Sequence, residues 1–349
     1  MKFVTRWIGC FNCPCVCGHY LKVKSGRWAG EEGEGYEFHS QIDVQRMGIY
    51  DPAFALKWTN ECNRLGSDTD AAAFVIMWAM DCYERGILTS EDTDGIELTY
   101  GNQDAALEML YKIVRREGFG NILAEGVKLA AQKVGRGSEK YAYHTKGKFT
   151  HIDPRRGWAD ALASATATRG NDHLKGVPMS NAWVKWKGLK DYHVINARTD
   201  TTYVPEIVIF CENLYAVTHA LGLCINVTWG MNDEGPGLPE FAEMLSAATG
   251  IDFNQETLLK AGERIYNVQR AFNSKCGLTR NDDCHPDFFF ETRAPHAPIL
   301  PDKKTFEELK DRYYKLRGWS VKTGHPTKGK LEELGLKDVA DDLVRCGII

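Results

Sequence analysis

The chain has 349 residues, 43% of them hydrophobic and 26% charged, enough for two ordinary domains and too apolar for long disorder. Lys plus Arg (43) against Asp plus Glu (47) leaves a net charge of −4, which argues against a nucleic-acid partner, because phosphate binding draws on a basic surplus. The longest apolar run, Ala71 to Met80 between Asp70 and Asp81, is about half the ~20 residues a spanning helix needs; with no apolar leader after Lys2 and Arg6, neither a membrane span nor a signal peptide is expected, and the expected compartment is the cytoplasm.

The first element is a cluster of cysteines. Eleven are present, and Cys10, Cys13, Cys15 and Cys17 fall within eight residues. An odd total cannot all pair, and in a reducing compartment a dense cluster points to metal before disulfides. Cys10-x2-Cys13-x3-Cys17 supplies three thiolates from a tight loop. An iron–sulfur cluster of the four-iron type needs four, and the fourth often comes from far along the chain. Cys15 lies between two of the others, so spacing leaves open which three bind. Zinc is the rival reading, since Cys10-x2-Cys13 is also half of a zinc knuckle; Cys276, Cys284 and His285 lack the spacing of a second half. The acid-rich stretch Glu31 to Glu37 reads as an exposed turn.

Most of the remaining sequence reads as helix. Ala53 to Leu65 and Thr69 to Arg85 end at Gly66 and Gly86. Asp104 to Arg116 carries Ala106, Leu107, Leu110, Ile113 and Val114 on one stripe. Asn121 to Val134 reads as a single helix stopped by Gly135. In Pro205 to Leu221 the stripe is Ile207, Phe210, Leu214, Val217 and Leu221; in Glu256 to Phe272 it is Leu258, Ala261, Ile265, Val268 and Phe272. Thr305 with Glu308 looks like a capping box opening a helix through Leu316. Strand signals are few: Tyr20 to Val23, Glu97 to Thr99 and Tyr141 to His144. A Gly/Lys-rich stretch, Gly135 to Lys148, suggests a boundary, giving helical domains 1–142 and 143–349. Pro286 to Lys303 reads as an ordered extended connection. The fold class expected is mainly α.

Several motifs carry a resemblance. Cys10-Phe11-Asn12-Cys13-Pro14-Cys15-Val16-Cys17-Gly18 resembles the cluster loop of the tungsten-containing aldehyde ferredoxin oxidoreductases. Gly35-Tyr36-Glu37, Asn63-Arg64-Leu65-Gly66-Ser67-Asp68, Asp153-Pro154-Arg155, Arg169-Gly170-Asn171-Asp172-His173, His219-Ala220-Leu221-Gly222-Leu223-Cys224 and Tyr313-Tyr314-Lys315-Leu316-Arg317-Gly318-Trp319 come next in family order. The likeness covers the family's second and third, largely helical, domains. It implies that Cys10, Cys13 and Cys17 are the loop ligands of a [4Fe-4S] cluster, Cys224 its distant fourth ligand, and Cys15 no ligand. It implies that Glu37 and His173 stand beside the tungsten (or molybdenum) as catalytic groups. Asn63 and His219 fall where the family usually has pterin-binding aspartates, and Asp68 and Lys175 belong to the same cofactor-binding set. A carboxylate and an imidazole at such a place can shuttle protons. Aspartate matches a row of pterin donors with two acceptor oxygens, whereas Asn offers one carbonyl and neutral His one nitrogen.

The resemblance also implies departures. The family has a pterin-cradling N-terminal domain before the cluster loop, and this sequence starts nine residues before Cys10. A separate N-terminal-domain polypeptide, an internal start or a relic is therefore expected. Lys57 and Asn60 stand where some members have a Glu and a His that share an iron between subunits, so no bridging iron is expected. Without the family, Glu37 reads as one more solvated acid, and His219 as a satisfied core histidine. Cys62 and Cys82 read as packing residues. The function implied is oxidation of a small-molecule aldehyde to a carboxylic acid, with electrons passing through the cluster to ferredoxin or another iron–sulfur carrier. Asp172 before His173 hints at a non-standard member, and a benzoyl-CoA-reductase-like tungsten subunit, which shares the fold, is the related reading. The alternatives are a pterin-free electron-transfer or scaffold module and an inactive truncation.

Overall fold

The computed structural model describes residues 3–36, 39–189, 191–229 and 233–349. The chain divides into two compact units, Met1–Tyr143 and His144–Ile349. The first holds β1 (Val4–Ile8), β2 (Gly18–Lys22), β3 (Glu32–Tyr36), α1 (His39–Arg46), α2 (Pro52–Leu65), α3 (Thr69–Glu84), α4 (Gln103–Arg115), α5 (Gly118–Leu123) and α6 (Val127–Val134). The second holds β4 (His144–Thr145), β5 (Lys148–Phe149), α7 (Trp158–Thr166), α8 (Ala182–Lys187), α9 (Val204–Ala220), α10 (Leu238–Thr249), α11 (Gln255–Lys275), α12 (Phe288–Glu291), α13 (Lys303–Arg317), α14 (Lys328–Glu333) and α15 (Lys337–Arg345). The fold is mainly α, as expected. No helix among the described residues is long and apolar enough to cross a membrane.

In the first unit, chain chemistry sets the helix ends. Asp51 caps α2 on the Ala53 amide, Pro52 starts it, and Gly66 at φ +68° stops it. Asp68 caps α3 on the Ala71 amide at 2.7 Å. The apolar run of α3 is buried on nearly every side, from Ala72 to Met80, which makes it the central helix of this unit. Cys62 and Cys82 are buried with it, and burial pushes both thiols up to about 12. The helix expected over 121–134 is instead two. Gly126 at φ +80° separates α5 from α6. At Gly120 a Cβ would lie 2.3 Å from the Lys112 carbonyl carbon, so α5 rests backbone to backbone on α4.

Strands β1, β2 and β3 form an antiparallel sheet in that order. The expected exposed turn at Glu31 to Glu37 is thus corrected: Glu32–Tyr36 is a strand, paired from Lys22↔Glu32 to Gly18↔Tyr36. Helix α2 latches it. Asn60 Nδ2 donates to Glu31 Oε2 at 2.9 Å and to the Glu32 carbonyl at 3.2 Å, and Lys57 Nζ lies 3.0 Å from Glu31 Oε1. Gly33 permits the approach, because a Cβ there would sit 2.5 Å from Asn60 Oδ1. Residues 97–99 form no strand, and Ser138–Tyr141 is a 3-10 turn before β4.

The second unit is built around α9, which is buried from Val204 through Thr218 except at Glu206 and Ile209. Helices α7, α11 and α13 pack on it. Gly262 lets α11 approach closely, since a Cβ would lie 2.2 Å from the Asn213 carbonyl oxygen. The buried face of α11 differs from the expected stripe: Val268 and Phe272 are exposed, and Tyr266, Asn267, Arg270 and Ser274 are buried instead. Helix α13 starts two residues before Thr305, capped by Asp302 on the Thr305 amide at 2.8 Å.

Two buried ionic clusters tie these helices. Glu212 of α9 accepts from Thr166 (3.2 Å) and Tyr266 (2.7 Å) on Oε1, and from Tyr313 (2.7 Å) and Arg317 (2.5 Å) on Oε2. Arg317 also donates to Asn213 Oδ1 at 2.8 Å. Asp283 meets Lys146 Nζ at 2.6 Å, Arg270 NH1 at 2.8 Å and the Tyr314 hydroxyl. Burial alone would raise the Asp283 carboxyl, but Arg270 and Lys146 hold it below the usual carboxylate range. His285 lies nearby, its Nε2 at 2.8 Å from the Ala161 carbonyl.

Two outcomes are expected. Glu212→Gln leaves the Arg317 guanidinium buried without a counter-charge, and the urea midpoint should report a loss of about 3–5 kcal/mol, against about 1 kcal/mol for Thr166→Ala, which removes one bond of the four. Burial lowers His285 to about 4 from an ordinary value of 6.5. The folded state therefore resists its protonation, and the His285 contribution is complete above pH 6.5 and fades as pH falls toward 4. Denaturation across that window should show a stability decline, at most roughly 3 kcal/mol from this group, that is flatter in His285→Gln.

Candidate functional site

The four clustered cysteines occupy the loop between β1 and β2, closed by the pair Ile8↔Gly18. Asn12 takes φ +56° at its bend, the Cys13 amide donates to the Cys10 carbonyl at 3.0 Å, and the Cys17 amide to the Cys15 carbonyl at 2.9 Å. The Cys13 thiol also points at the Cys15 carbonyl, 3.5 Å away. Cys15 therefore anchors the loop through its backbone. Cys10 is exposed, Cys13, Cys15 and Cys17 are half-buried, and none is in a disulfide. Trp7, Phe11 and Val16 around them are exposed as well.

Among the described residues no three His, Cys, Asp or Glu side chains gather as ligands of one metal ion. A four-iron cluster takes one thiolate at each corner, and a donor set of three unbridged thiols on one hairpin loop fits that in kind.

Asn63 and Asp68 flank Gly66 between α2 and α3, and both are exposed. Asp68 has a structural task as well, because one of its oxygens caps α3. Glu37 lies outside the described residues.

In the second unit, His173 and Lys175 share a short 3-10 turn, His173–Lys175, whose first amide partner is Asp172: its Oδ1 accepts from the Leu174 amide at 2.9 Å. Asp172 is buried, ion-paired with Arg169, and its Oδ1 lies 3.9 Å from His173 Nδ1. The His173 ring stacks on His151, centroids 4.5 Å apart and planes 14° apart. Asn171 holds the backbone that carries His151. Its Oδ1 accepts from the His151 and Ile152 amides at 2.9 and 2.6 Å, and its Nδ2 donates to the Ile152 carbonyl at 3.0 Å.

Lys175 and His219 line one cavity of about 230 Å³ with Glu212, Tyr215, Tyr266 and Gln269. Burial, then the charge of Arg169, lowers Lys175 from the ordinary lysine value. His219, in the last turn of α9, is held below the ordinary imidazole value, first by desolvation and then by the charge of Lys175, which favours its neutral form. Glu212 at the cavity floor is saturated by its four donors. Cys224 is exposed five residues past His219, where Gly222 at φ +69° turns the chain out of α9.

The structure thus brings Lys175 and His219 to one cavity with His173 on the adjoining turn, and brings Cys10, Cys13 and Cys17 onto one loop. Sequence reasoning missed His151 and Glu212, and took Asp172 only as the mark of a non-standard member. His151 carries a signal only in hindsight, as a His two residues before Asp153-Pro154. The meaning of Glu212 lies wholly in its contacts.

Comparisons with known proteins bear on the family of the chain as a whole. A family model described as aldehyde ferredoxin oxidoreductase, domains 2 & 3, matches residues 1–336. Tungsten-containing aldehyde ferredoxin oxidoreductases of Pyrococcus horikoshii and Pyrococcus abyssi are 35% and 34% identical over 342 residues, 97% of this chain and 54% of theirs. An aliphatic sulfonate oxidoreductase, WOR-like subunit, of Pyrococcus furiosus is 27% identical over 98% of this chain and 52% of its own. Among solved structures, the active site complex BamBC of benzoyl coenzyme A reductase with 1,5 dienoyl-CoA matches with a TM-score of 0.79 at 26% identity, over 100% of this chain and 55% of that one. The chain spans about half the length of the curated relatives it matches. Thiol loop, helical scaffold and sequence match converge: the chain belongs to the aldehyde ferredoxin oxidoreductase family of oxidoreductases, matching its second and third domains.

Proposed function

We propose that this chain is the helical, cluster-bearing part of a tungsten-containing oxidoreductase that converts an aldehyde and water into a carboxylic acid. Two electrons and two protons leave in that reaction, the electrons one at a time to ferredoxin or a similar iron–sulfur carrier. Cys10, Cys13, Cys17 and Cys224 would hold a [4Fe-4S] cluster, and Asn63, Asp68, Lys175 and His219 would contact a tungsten (or molybdenum) bis-pterin. When bound, that cofactor supplies the two-electron chemistry at carbon and the cluster its one-electron exit.

The observation that carries the reading is the Lys175–His219 cavity with the stacked His173 beside it. Lys175 offers a cation, with its proton loosely held, to an anionic group of the cofactor. His219, in its neutral form, offers one donor and one acceptor where two acceptor oxygens would suit a pterin edge better. His173, its plane fixed by His151 and its Nδ1 edge turned to Asp172, is placed to hold or move a proton. Glu37 is proposed for the complementary acid role on the strength of its motif alone. A second reading, a benzoyl-CoA-reductase-like subunit that reduces an aromatic ring, is supported by the match to the BamBC complex, which covers all of this chain and 55% of that one. The higher identity to the aldehyde enzymes favours the first.

The test is to purify the chain together with the N-terminal half of a full-length relative, supplied as a separate polypeptide. About four irons per chain and a heavy metal are expected. Cys10→Ser, Cys13→Ser, Cys17→Ser and Cys224→Ser should each lose most of the iron, while Cys15→Ser keeps it. Iron without tungsten or molybdenum would remove the catalytic assignment. Reduction of a dye with aldehydes, set against assays on aromatic acyl-CoA thioesters, separates the two readings.

A further inference from the structure

A second cavity, in the second unit and lined by none of the proposed cluster or cofactor residues, surrounds the start of α7. It measures about 390 Å³, within the range of small-molecule sites. Asp160, in the first turn of α7, is only 4% exposed. Its carboxylate lines the cavity and makes no hydrogen bond or ion pair with any described residue. Buried carboxylates are ordinarily paired, because leaving one bare costs several kilocalories.

Two arginines stand at the rim, both exposed: Arg156, just before α7, and Arg198. Gly157 brings Arg198 there. Its φ is +156°, and a Cβ would lie 2.5 Å from the Arg198 Cα, so the two segments touch only because this residue has no side chain. Burial raises Asp160, and the charges of Arg156 and Arg198 offset that in part without contact. The other acid of the cavity, Asp233, is already held by the Asn181 amide at 2.6 Å and its Nδ2 at 2.8 Å. Met179 and Ile195 supply an apolar wall.

A bare acceptor at the bottom, two uncommitted guanidinium groups at the mouth and an apolar wall between them describe a ligand with three parts. We propose that this cavity binds a small organic carboxylate that also carries an ammonium or hydroxyl donor. Arg156 and Arg198 take the carboxylate, in the planar geometry guanidinium suits. Asp160 accepts from the donor, and Met179 and Ile195 cover the carbon skeleton.

The experiment is calorimetric titration of the full 349-residue chain with three probes of one skeleton: valine, the hydroxy acid of the same skeleton, and isovalerate, which lacks the donor. Saturable binding of valine or of the hydroxy acid, about ten-fold or more tighter than isovalerate, supports the site; which of the two binds tells ammonium from hydroxyl. Asp160→Asn should abolish that preference, and Arg156→Gln with Arg198→Gln should remove binding altogether. The melting temperature of Asp160→Asn should hold or rise, because a neutral amide is easier to bury than a bare carboxylate. The proposal is overturned if none of the probes binds by about 10 mM, if isovalerate binds as well as the others, or if binding survives in both variants. The comparison among probes needs no variant, so a misfolded mutant does not blunt the test.

Discussion

One carboxylate organises the second unit. Glu212 receives a hydroxyl from α7, a hydroxyl from α11, and a hydroxyl and a guanidinium from α13. Its four acceptor positions are therefore distributed over three of the helices that pack on α9. A buried ion pair contributes little net stability over an apolar equivalent. What it contributes here is register: the donors meet Glu212 only at one rotation of each helix. The same carboxylate floors the cavity that Lys175 and His219 line, so the geometry of the candidate cofactor face is inherited from the packing of the core behind it.

That coupling explains why the cavity charges are arranged as they are. Glu212 is neutralised by Arg317 and does not compete for Lys175. Lys175 instead feels burial and Arg169, both of which weaken its hold on its proton, and it passes the same pressure to His219. Asp172 is committed to Arg169 and to the Leu174 amide, and steadies the turn that carries His173.

Much of the scaffold was legible in the amino-acid order. Helices α2, α3 and α9 announce themselves by capping aspartate or proline, apolar stripe and terminal glycine. Helix α11 misleads because its buried face carries polar side chains that find partners there: Asn267 meets the Glu263 carbonyl and Trp319, Arg270 meets Asp283, and Ser274 meets the Arg270 carbonyl. Strand β3 misleads for another reason: Glu-Gly-Glu-Gly-Tyr has no intrinsic strand character, and pairing with β2 and the latch of α2 create it. The thiol loop was legible because spacing alone carries the chemistry. The His151–His173 stack and the bare Asp160 were not, since each depends on what lies across from it in space.

The hairpin that presents the thiols has a consequence for how this protein can change. Strand pairing resumes immediately after the loop, at Gly18, and the sheet beyond it is secured separately by α2 through Glu31 and Asn60. Insertions or deletions between Gly9 and Cys17 are therefore insulated from the helical body. Evolution, or an engineer, could respace the sulfurs to suit a different inorganic group while the rest of the architecture stays as it is.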